Sequence, residues 1–308
     1  MSSVSRAESG SRSGEAIVVD TPSRTSLLDG AVAWVEDVRS GAISAGGSVK
    51  GYSDRFQVAF PYRGMLVWHV GRDDVVGDAN QVLFVASGES YRLSNPLSGG
   101  FAELIVTPEL DVLATLLQAT GSDLRTHSLF RRRSRRADAR LQSLRTRFLY
   151  WAAGASDVDD LGAEELLLAL LRLALADDPP RERPSPSSGR LIRRTKEFLE
   201  AECTNRIRLD QVGRAVGASP EYLTDLFRRV EGVSLHRYVI QLRLARALVD
   251  LPDADDLATL ALDVGFSSHS HFSAAFRRAF ECTPSELRRA MRSGERPALP
   301  SRSLTKGF

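Results

Sequence analysis

The sequence predicts an α+β chain with an N-terminal antiparallel β-barrel, helices that follow it, and an all-helical C-terminal block. Short apolar runs separated by Gly, Asp, Asn and Pro extend to Pro108, a pattern typical of strands and turns. After Pro108 the apolar residues recur at helical spacing. Within the C-terminal block one pattern of helix, glycine and helix occurs twice. Together these observations indicate a β region and a separate helical region in one chain.

A chain of 308 residues is too long for one ordinary core, so we expect separate domains and linkers. The first residues are almost without apolar side chains and predict a disordered tail. Prolines and serines between the two regions predict a linker. The predicted segments are a tail (1–15), a closed β-barrel (16–108), a helical connector (109–176), a linker (177–190), the helical block (191–292) and a loose tail (293–308).

The composition is that of a soluble globular protein, with 43% hydrophobic and 26% charged residues. A net charge of +2 does not by itself indicate a polyanionic partner. No apolar run approaches the ~20 residues of a membrane helix, and the N-terminus lacks a signal-peptide core, so we expect a cytoplasmic protein without membrane contact. Cys203 and Cys282 are the only cysteines, which excludes a disulfide framework.

Two features of the region after Pro108 require an interpretation. A stripe of leucines needs an apolar partner, which is either the chain's own barrel or a second subunit; its members are Leu166, Leu167, Leu170, Leu171 and Leu175. The basic run RRRSRR, Arg131 to Arg136, is interpreted as a solvated helix start beside acidic residues such as Asp138 rather than as a nucleic-acid patch.

The repeated pattern begins at Leu209 (LDQVGRAVGASPEYLTDLFRRVEGVS) and again at Leu257 (LATLALDVGFSSHSHFSAAFRRAFECTPS). In each copy a short amphipathic helix is followed by a glycine, Gly217 or Gly265, and glycine takes a positive φ without steric cost. A serine follows, Ser219 or Ser267, which can cap the next helix. The buried side of that helix is predicted at Tyr222, Leu223, Leu226 and Phe227, and at Phe272, Phe276 and Phe280.

Helix, glycine turn and helix form the helix-turn-helix unit, whose second helix enters the major groove of double-stranded DNA. The connector from Ser234 to Leu251 predicts a helix about 27 Å long at 1.5 Å per residue. A rigid spacer of this length suits the ~34 Å between adjacent major grooves on one DNA face. The block is therefore predicted to present two recognition helices to one DNA duplex.

The helical block resembles the DNA-binding domain of the AraC/XylS family of bacterial transcription regulators. The first unit, the connector RLARALVDL, the stretch GFSSHSHFSAAFRRAF and the ending TPSELRR carry this resemblance. Upstream, NQVLFVASGESYRLSNPLSGG is similar to the cupin-like effector domain of many such regulators. The resemblance implies a homodimer that binds double-stranded DNA, responds to a small-molecule effector and affects RNA polymerase.

The resemblance also implies which residues contact DNA. The base-facing positions are Glu221, Thr224, Asp225, Ser268, His269, Ser270, Ser273 and Ala274. Four arginines lie toward the ends of the two helices and are expected at phosphates instead: Arg228, Arg229, Arg277 and Arg278. Ser219 and Ser267 are expected at phosphates too. The sequence departs from the family at Asp225 and Ala274, where arginine is frequent, and at Glu281, where glycine is common. Asp225 is expected to accept from a cytosine amino group or to weaken the first unit.

An enzyme is the alternative function class, because cupin-like barrels can hold catalytic metals. Upstream of the linker only His69 and His127 are histidines, whereas a metal site needs several converging ligands. His269 and His271 are two residues apart on a helix, so their side chains diverge by about 200° and cannot bind one metal ion. The sequence thus predicts no catalytic residue, metal ligand or cofactor, and the barrel is interpreted as a sensor or dimerisation module. Strand alternation suggests an effector pocket lined by Trp34, Phe56, Phe60, Trp68 and Tyr91.

Overall fold

The computed structural model describes seven ranges of the chain. They are residues 22–41, 48–71, 73–97, 99–118, 133–154, 159–176 and 184–293. The described ranges do not include the predicted N-terminal tail, His127, Arg131, Arg132, the first half of the predicted linker (177–183) or the predicted C-terminal tail beyond Ser293.

The N-terminal part is built from strands, as the alternating sequence predicts. The strands of the described residues are β1 (Ser23–Asp29), β2 (Ala33–Ser40), β3 (Ser48–Ser53), β4 (Gln57–Gly64), β5 (Leu66–Val70), β6 (Asp73–Gly77), β7 (Gln81–Val85), β8 (Glu89–Ser94), β9 (Phe101–Pro108) and β10 (Ser134–Arg136).

These strands form two antiparallel sheets, of order β1-β2-β9-β4-β7-β10 and β3-β8-β5-β6. The prediction of one closed barrel is therefore wrong, because no strand in the described ranges pairs across from one sheet to the other. The sheets instead pack on a shared apolar core that includes Val38 and Ile105 of the larger sheet and Trp68 and Leu93 of the smaller one. Apolar packing, rather than a continuous hydrogen-bond ladder, joins them.

A second core covers the opposite face of the larger sheet. Helices α1 (Leu110–Gln118), α2 (Ala139–Ala152) and α3 (Asp160–Leu175) pack there. The whole leucine stripe of α3 is buried in this core together with sheet residues such as Val58 and Leu104. The sequence left two partners open for this leucine stripe, and the structure shows that the partner is the chain's own larger sheet. Because the stripe is buried there, it does not form the contact surface of a dimer.

The described part of the basic run is not a solvated helix start. Ser134–Arg136 form β10, which pairs with β7, and their side chains bind within the chain. Arg133 pairs with Glu89, and Arg135 donates to the carbonyl oxygens of Leu173 and Ala176, both at 2.7 Å. These arginines therefore fasten β10 and the end of α3, since the last carbonyls of a helix lack intrahelical partners.

The C-terminal block is helical, as predicted. Its helices are α4 (Pro186–Ala201), α5 (Leu209–Val216), α6 (Pro220–Glu231), α7 (Leu235–Asp250), α8 (Leu257–Asp263), α9 (His269–Phe280) and α10 (Pro284–Arg292). The first of them starts inside the predicted linker, because Ser185 caps it by accepting from the Ser188 N–H. Proline at the first helical position removes an N–H that would be unpaired anyway, so this proline starts a helix rather than preventing one.

Helix α7 belongs to two apolar cores at once. Tyr238 and Leu242 pack with the first helix-turn-helix unit, whereas Leu244 and Leu248 pack with the second. All four side chains are at most 2% exposed. The predicted spacer from Ser234 to Leu251 is therefore a rigid helix, α7, that both helix-turn-helix units share.

The N-terminal region docks on the same helix through buried polar contacts. The Asn80 side-chain amide donates to the Tyr238 carbonyl oxygen at 3.1 Å, and the Tyr238 hydroxyl donates to the Asp78 carboxylate. Gln81 donates to Glu231 at 3.1 Å. Because Asp78, Asn80 and Tyr238 are fully buried, these contacts fix the relative placement of the two parts.

Charge balance inside this interface depends on Lys196. Its ammonium lies 2.7 Å from Glu231 and 5.6 Å from the centre of the Tyr238 ring. Burial raises the pKa of Asp78, while the charge of Lys196 and the Tyr238 hydrogen bond act in the opposite direction. Such a network stabilises the interface only if every member keeps its partner.

We predict that Tyr238→Phe lowers the free energy of unfolding by about 1–3 kcal/mol, because a buried carboxyl oxygen loses its donor. Urea unfolding followed by circular dichroism measures the change. Tyr222→Phe is the matched control, since Tyr222 is 50% exposed, and it should leave stability unchanged. Equal effects of the two substitutions would show that the buried hydroxyl contributes nothing.

Candidate nucleic-acid interface

The first helix-turn-helix unit comprises α5 and α6. Helix α5 ends at Gly217, which has φ 73° in the left-handed region. Ser219 then caps α6 by accepting from the Tyr222 N–H at 3.3 Å, as the sequence predicts. Gly232, again left-handed, ends α6.

The second unit repeats this geometry with α8 and α9. The turn contains Gly265 at φ 94°, but the cap is Ser268, whose hydroxyl accepts from the His271 N–H at 3.2 Å. The prediction of Ser267 as the capping residue is wrong by one position. Ser267 lies instead in the turn, where its hydroxyl is 3.3 Å from Nδ1 of His271.

Gly265 also permits close contact between the two units. A Cβ atom at this position would lie 2.7 Å from the Thr204 carbonyl oxygen and 2.8 Å from that of Cys203. Because neither backbone atom can move aside easily, a larger residue would separate the second unit from the loop before α5. The glycine is therefore required by both its dihedral angle and its surroundings.

The aromatic stripe of α9 faces the core, as predicted. Phe272, Phe276 and Phe280 are buried, and successive ring centroids are 5.5 Å and 4.5 Å apart. On α6 the corresponding side is Leu223, Leu226 and Phe227, whereas Tyr222 lies half exposed beside them rather than in the core.

The opposite faces of both helices are open to solvent. Glu221, Asp225, Ser268, His269, Ser270 and Ala274 are exposed, and Thr224 and Ser273 are half-buried. No segment of the described N-terminal region covers them. Both helices therefore present every predicted base-facing residue in a position accessible to DNA.

Several hydroxyls on these faces already have a local partner. The Thr224 hydroxyl donates to the Pro220 carbonyl oxygen at 2.8 Å, and the Ser273 hydroxyl lies 3.3 Å from Nε2 of His269. The Ser268 hydroxyl accepts in the cap but keeps its proton available. The Ser270 hydroxyl and the second ring nitrogen of His269 are therefore the polar groups on α9 that remain most available for contacts with another molecule.

The two recognition faces differ in charge. The α6 face carries Glu221 and Asp225, with Arg228 and Arg229 in its last turn. The α9 face has no carboxylate and ends in Arg277 and Arg278. Phosphates repel carboxylates and attract guanidinium groups, so the second face is electrostatically the better suited to DNA.

Glu281 ends α9 in a strained conformation. It is the one non-glycine residue with positive φ, 58°, in the described ranges, and its N–H donates to the Arg277 carbonyl oxygen. The sequence departure at this position thus places a glutamate where glycine ends α6.

Sequence reasoning missed exposed basic residues in the loop before α5 and at the start of α7. Arg206, His236 and Arg237 are exposed, and His236 lines a cleft that also includes Thr224 and Ser267. The cap of α7, where Ser234 accepts from the Arg237 N–H, positions the last two. Ser234, which stands directly before a helical pattern, signals this cap in the sequence. The segment that follows it was interpreted only as a spacer between the two units.

The five predicted effector residues do not line one pocket. Trp68 and Tyr91 stack between the sheets with centroids 5.5 Å apart. Phe56 and Phe60 lie on the other face of the larger sheet, against the helices. Trp34 is 36% exposed and donates to Ser26. Alternation places residues on a face but does not tell which face meets the second sheet.

His69 is a hydrogen-bonded residue on the smaller sheet. Its Nδ1 is 2.7 Å from Asp74 and its Nε2 is 2.7 Å from the Ser94 hydroxyl. Asp74 also pairs with Arg193 of α4 at 2.9 Å. Across the described ranges there is no group of three or more metal-ligating side chains, and no helix there is long and apolar enough to cross a membrane.

The paired, exposed second helices on a shared core define a tandem helix-turn-helix protein. Residues 212–290 match the family described as "Helix-turn-helix domain". Regulatory protein SoxS of Salmonella typhimurium is 33% identical over 103 residues, 33% of this chain and 96% of SoxS. Regulatory protein PocR of the same organism is 25% identical over 152 residues, 46% of this chain and 50% of PocR.

HTH-type transcriptional regulator ExsA of Pseudomonas aeruginosa is 33% identical over 102 residues, 33% of this chain and 37% of ExsA. The chain thus spans about half of PocR and a smaller share of ExsA. The chain is similar to a solved transcriptional regulator with an AraC-type DNA-binding domain from Chromobacterium violaceum, with 30% sequence identity and a TM-score of 0.33. The match covers 35% of this chain and 96% of that structure. ToxT from Vibrio cholerae covers 83% of this chain and 98% of its own at 10% identity and a TM-score of 0.34.

The SoxS match extends over nearly the whole of that relative. This chain therefore belongs to the AraC/XylS family of transcription regulators, and the resemblance of its helical block is confirmed.

We predict that Glu281→Gly raises the free energy of unfolding by about 0.5–1 kcal/mol. Relief of the left-handed strain, about 1–2 kcal/mol, exceeds the entropy that glycine adds to the unfolded chain. Gly232→Glu is the reciprocal change at the matching position of α6, where φ is 72°, and it should destabilise. Chemical denaturation of both variants checks the pair, and a loss of stability in Glu281→Gly would contradict the strain argument.

Proposed function

We propose that this protein binds double-stranded DNA sequence-specifically and regulates transcription, with α6 and α9 inserted into adjacent major grooves. The observation that carries the proposal is that α6 and α9 each have one apolar, buried side and one polar, exposed side. Each buries an apolar side in a core shared with α7 and exposes a polar side. Such helices suit the width of the major groove.

The second unit carries most of the sequence recognition. Its exposed face offers Ser268, His269, Ser270 and Ser273 as hydrogen-bonding groups and Ala274 as an apolar contact for a thymine methyl. On α6, Asp225 accepts from a cytosine amino group or weakens the contribution of the unit. Thr224, which already donates to Pro220, keeps its methyl and its acceptor lone pair for base contact.

Phosphate contacts position both helices. Arg228, Arg229, Arg277 and Arg278 are exposed in the last turns of α6 and α9. Ser219 and Ser267 lie before the two helices, within reach of the neighbouring backbone. Loss of one arginine weakens binding to all sequences alike and flattens its salt dependence.

The N-terminal region is proposed to be a cupin-like sensor domain that holds a small-molecule effector between its sheets. The Trp68 and Tyr91 stack lies there, and the Trp68 indole nitrogen and one Glu103 carboxyl oxygen are buried there without a hydrogen-bond partner. Burial raises the pKa of Glu103 to about 8. Unpaired polar groups in an apolar core are suited to a ligand that supplies their partners.

Homodimerisation, contact with RNA polymerase and a cytoplasmic location complete the proposal. The dimer is supported by two strongly exposed leucines, Leu110 on α1 and Leu161 on α3, on helices that contact each other. Within the described residues of α1 and α3, these two leucines are the large apolar side chains with the greatest exposure. A metalloenzyme with a fused DNA-targeting domain, the alternative function, has no supporting observation in the described residues.

Selection of bound sequences from random DNA tests the proposal. We predict two unlike half-sites about 10–11 base pairs apart, the repeat of the double helix, with higher information content in the one read by α9. Asp225→Ala should change base preference in the other half-site only. Selection with Ala215→Ser provides the control, because Ala215 is exposed on α5, away from the predicted contacts. Recovery of no enriched sequence would refute sequence-specific binding.

A further inference from the structure

A cleft lies between the two helix-turn-helix units, on the side of their exposed recognition faces. Its volume is about 720 Å³. Thr224 of α6 stands on one side, Ser267 and His271 of the second unit stand on the other, and α7 forms the floor. A concavity of this size is typical of small-molecule sites.

The floor and walls of the cleft are mainly apolar. Leu199 of α4 and Val212 of α5 line the cleft and are buried, and Leu209, Val239 and Ile240 continue the apolar lining. Leu209 is 42% exposed, although it is the first residue of an amphipathic helix. An apolar surface left open between two polar faces can be covered by a ligand.

The charged side chains that line the cleft are Arg206 and Arg243, and His236 and His271 add hydrogen-bonding nitrogens. Among the described residues this lining contains no carboxylate. Arg243 is held by carbonyl oxygens of Cys203 and Asn205 at 2.6 and 2.7 Å. Arg206 and His236 have no side-chain partner within the described residues, so their donors remain available to an anion.

We propose that this cleft binds a small amphipathic carboxylate, with its apolar body on α7 and its carboxylate at Arg206 and His236. A DNA phosphate is a poorer occupant, because the backbone of a stiff duplex is polar and cannot cover the buried apolar lining, which includes Leu199 and Val212. Since Thr224 and Ser267 belong to both surfaces, the ligand excludes DNA; this part of the inference rests on the proposed function.

The binding step is tested without DNA. Isothermal titration of the full chain with 2-naphthoate should give one site, and the neutral 2-naphthamide should bind at least tenfold more weakly, because it lacks the charge. Arg206→Gln and Leu209→Ala should each weaken 2-naphthoate about five- to tenfold. Their matched controls, Arg289→Gln and Leu262→Ala, change exposed residues outside the cleft and should leave affinity unchanged.

Absence of binding, equal affinity for acid and amide, or equal effects of cleft and control variants would overturn the proposed site. A separate titration follows displacement of a labelled DNA carrying the selected sequence. Dissociation of DNA at ligand concentrations that fill the cleft supports exclusion. Binding of 2-naphthoate with undisturbed DNA would refute exclusion alone, whereas failure of the chain to bind any DNA refutes the proposed function and leaves the ligand titration readable.

Discussion

The burial of α7 in two cores is the constraint on which the rest of the structure depends. One side of the helix, with Tyr238 and Leu242, completes the first unit, and another side, with Leu244 and Leu248, completes the second. Because interiors are close-packed, neither unit can rotate about α7 without opening a cavity. At 1.5 Å per residue the 16 residues of α7 span about 24 Å, so the length of this helix and the packing of both units on it set the spacing of the recognition helices.

The N-terminal region binds this same helix, and its contacts are buried and polar. Hydrogen bonds to Tyr238 and Glu231 are directional, so the docked arrangement is specified more narrowly than apolar packing alone would specify it. The recognition faces stay uncovered in this arrangement. The proposed sensor control would therefore act on the proposed DNA binding through the position of α7, without first uncovering a blocked surface. This is the physical basis for proposing sensor control.

The sequence predicted the tandem units well, because their signals are local: aromatic residues at every fourth position, a glycine and a serine. It placed the second cap at Ser267 rather than Ser268 because two adjacent serines have the same capping chemistry. The strand at Ser134–Arg136 was missed, since its pairing with β7 is a long-range contact. The residues predicted to line one effector pocket belong to two different cores, because strand alternation separates the two faces of a sheet without identifying what covers each face. Phe60 and Trp68 are the clearest example.

The spacing of the two half-sites tests the rigid role of α7 most directly. Affinity is measured for the selected DNA site and for copies with five or ten base pairs inserted between its half-sites. Because α7 cannot lengthen, binding should fall by at least tenfold in both cases, including the ten-base-pair insertion that restores the helical face. The same insertions placed outside the site should have no effect. Retained affinity with either internal insertion would contradict a fixed spacer.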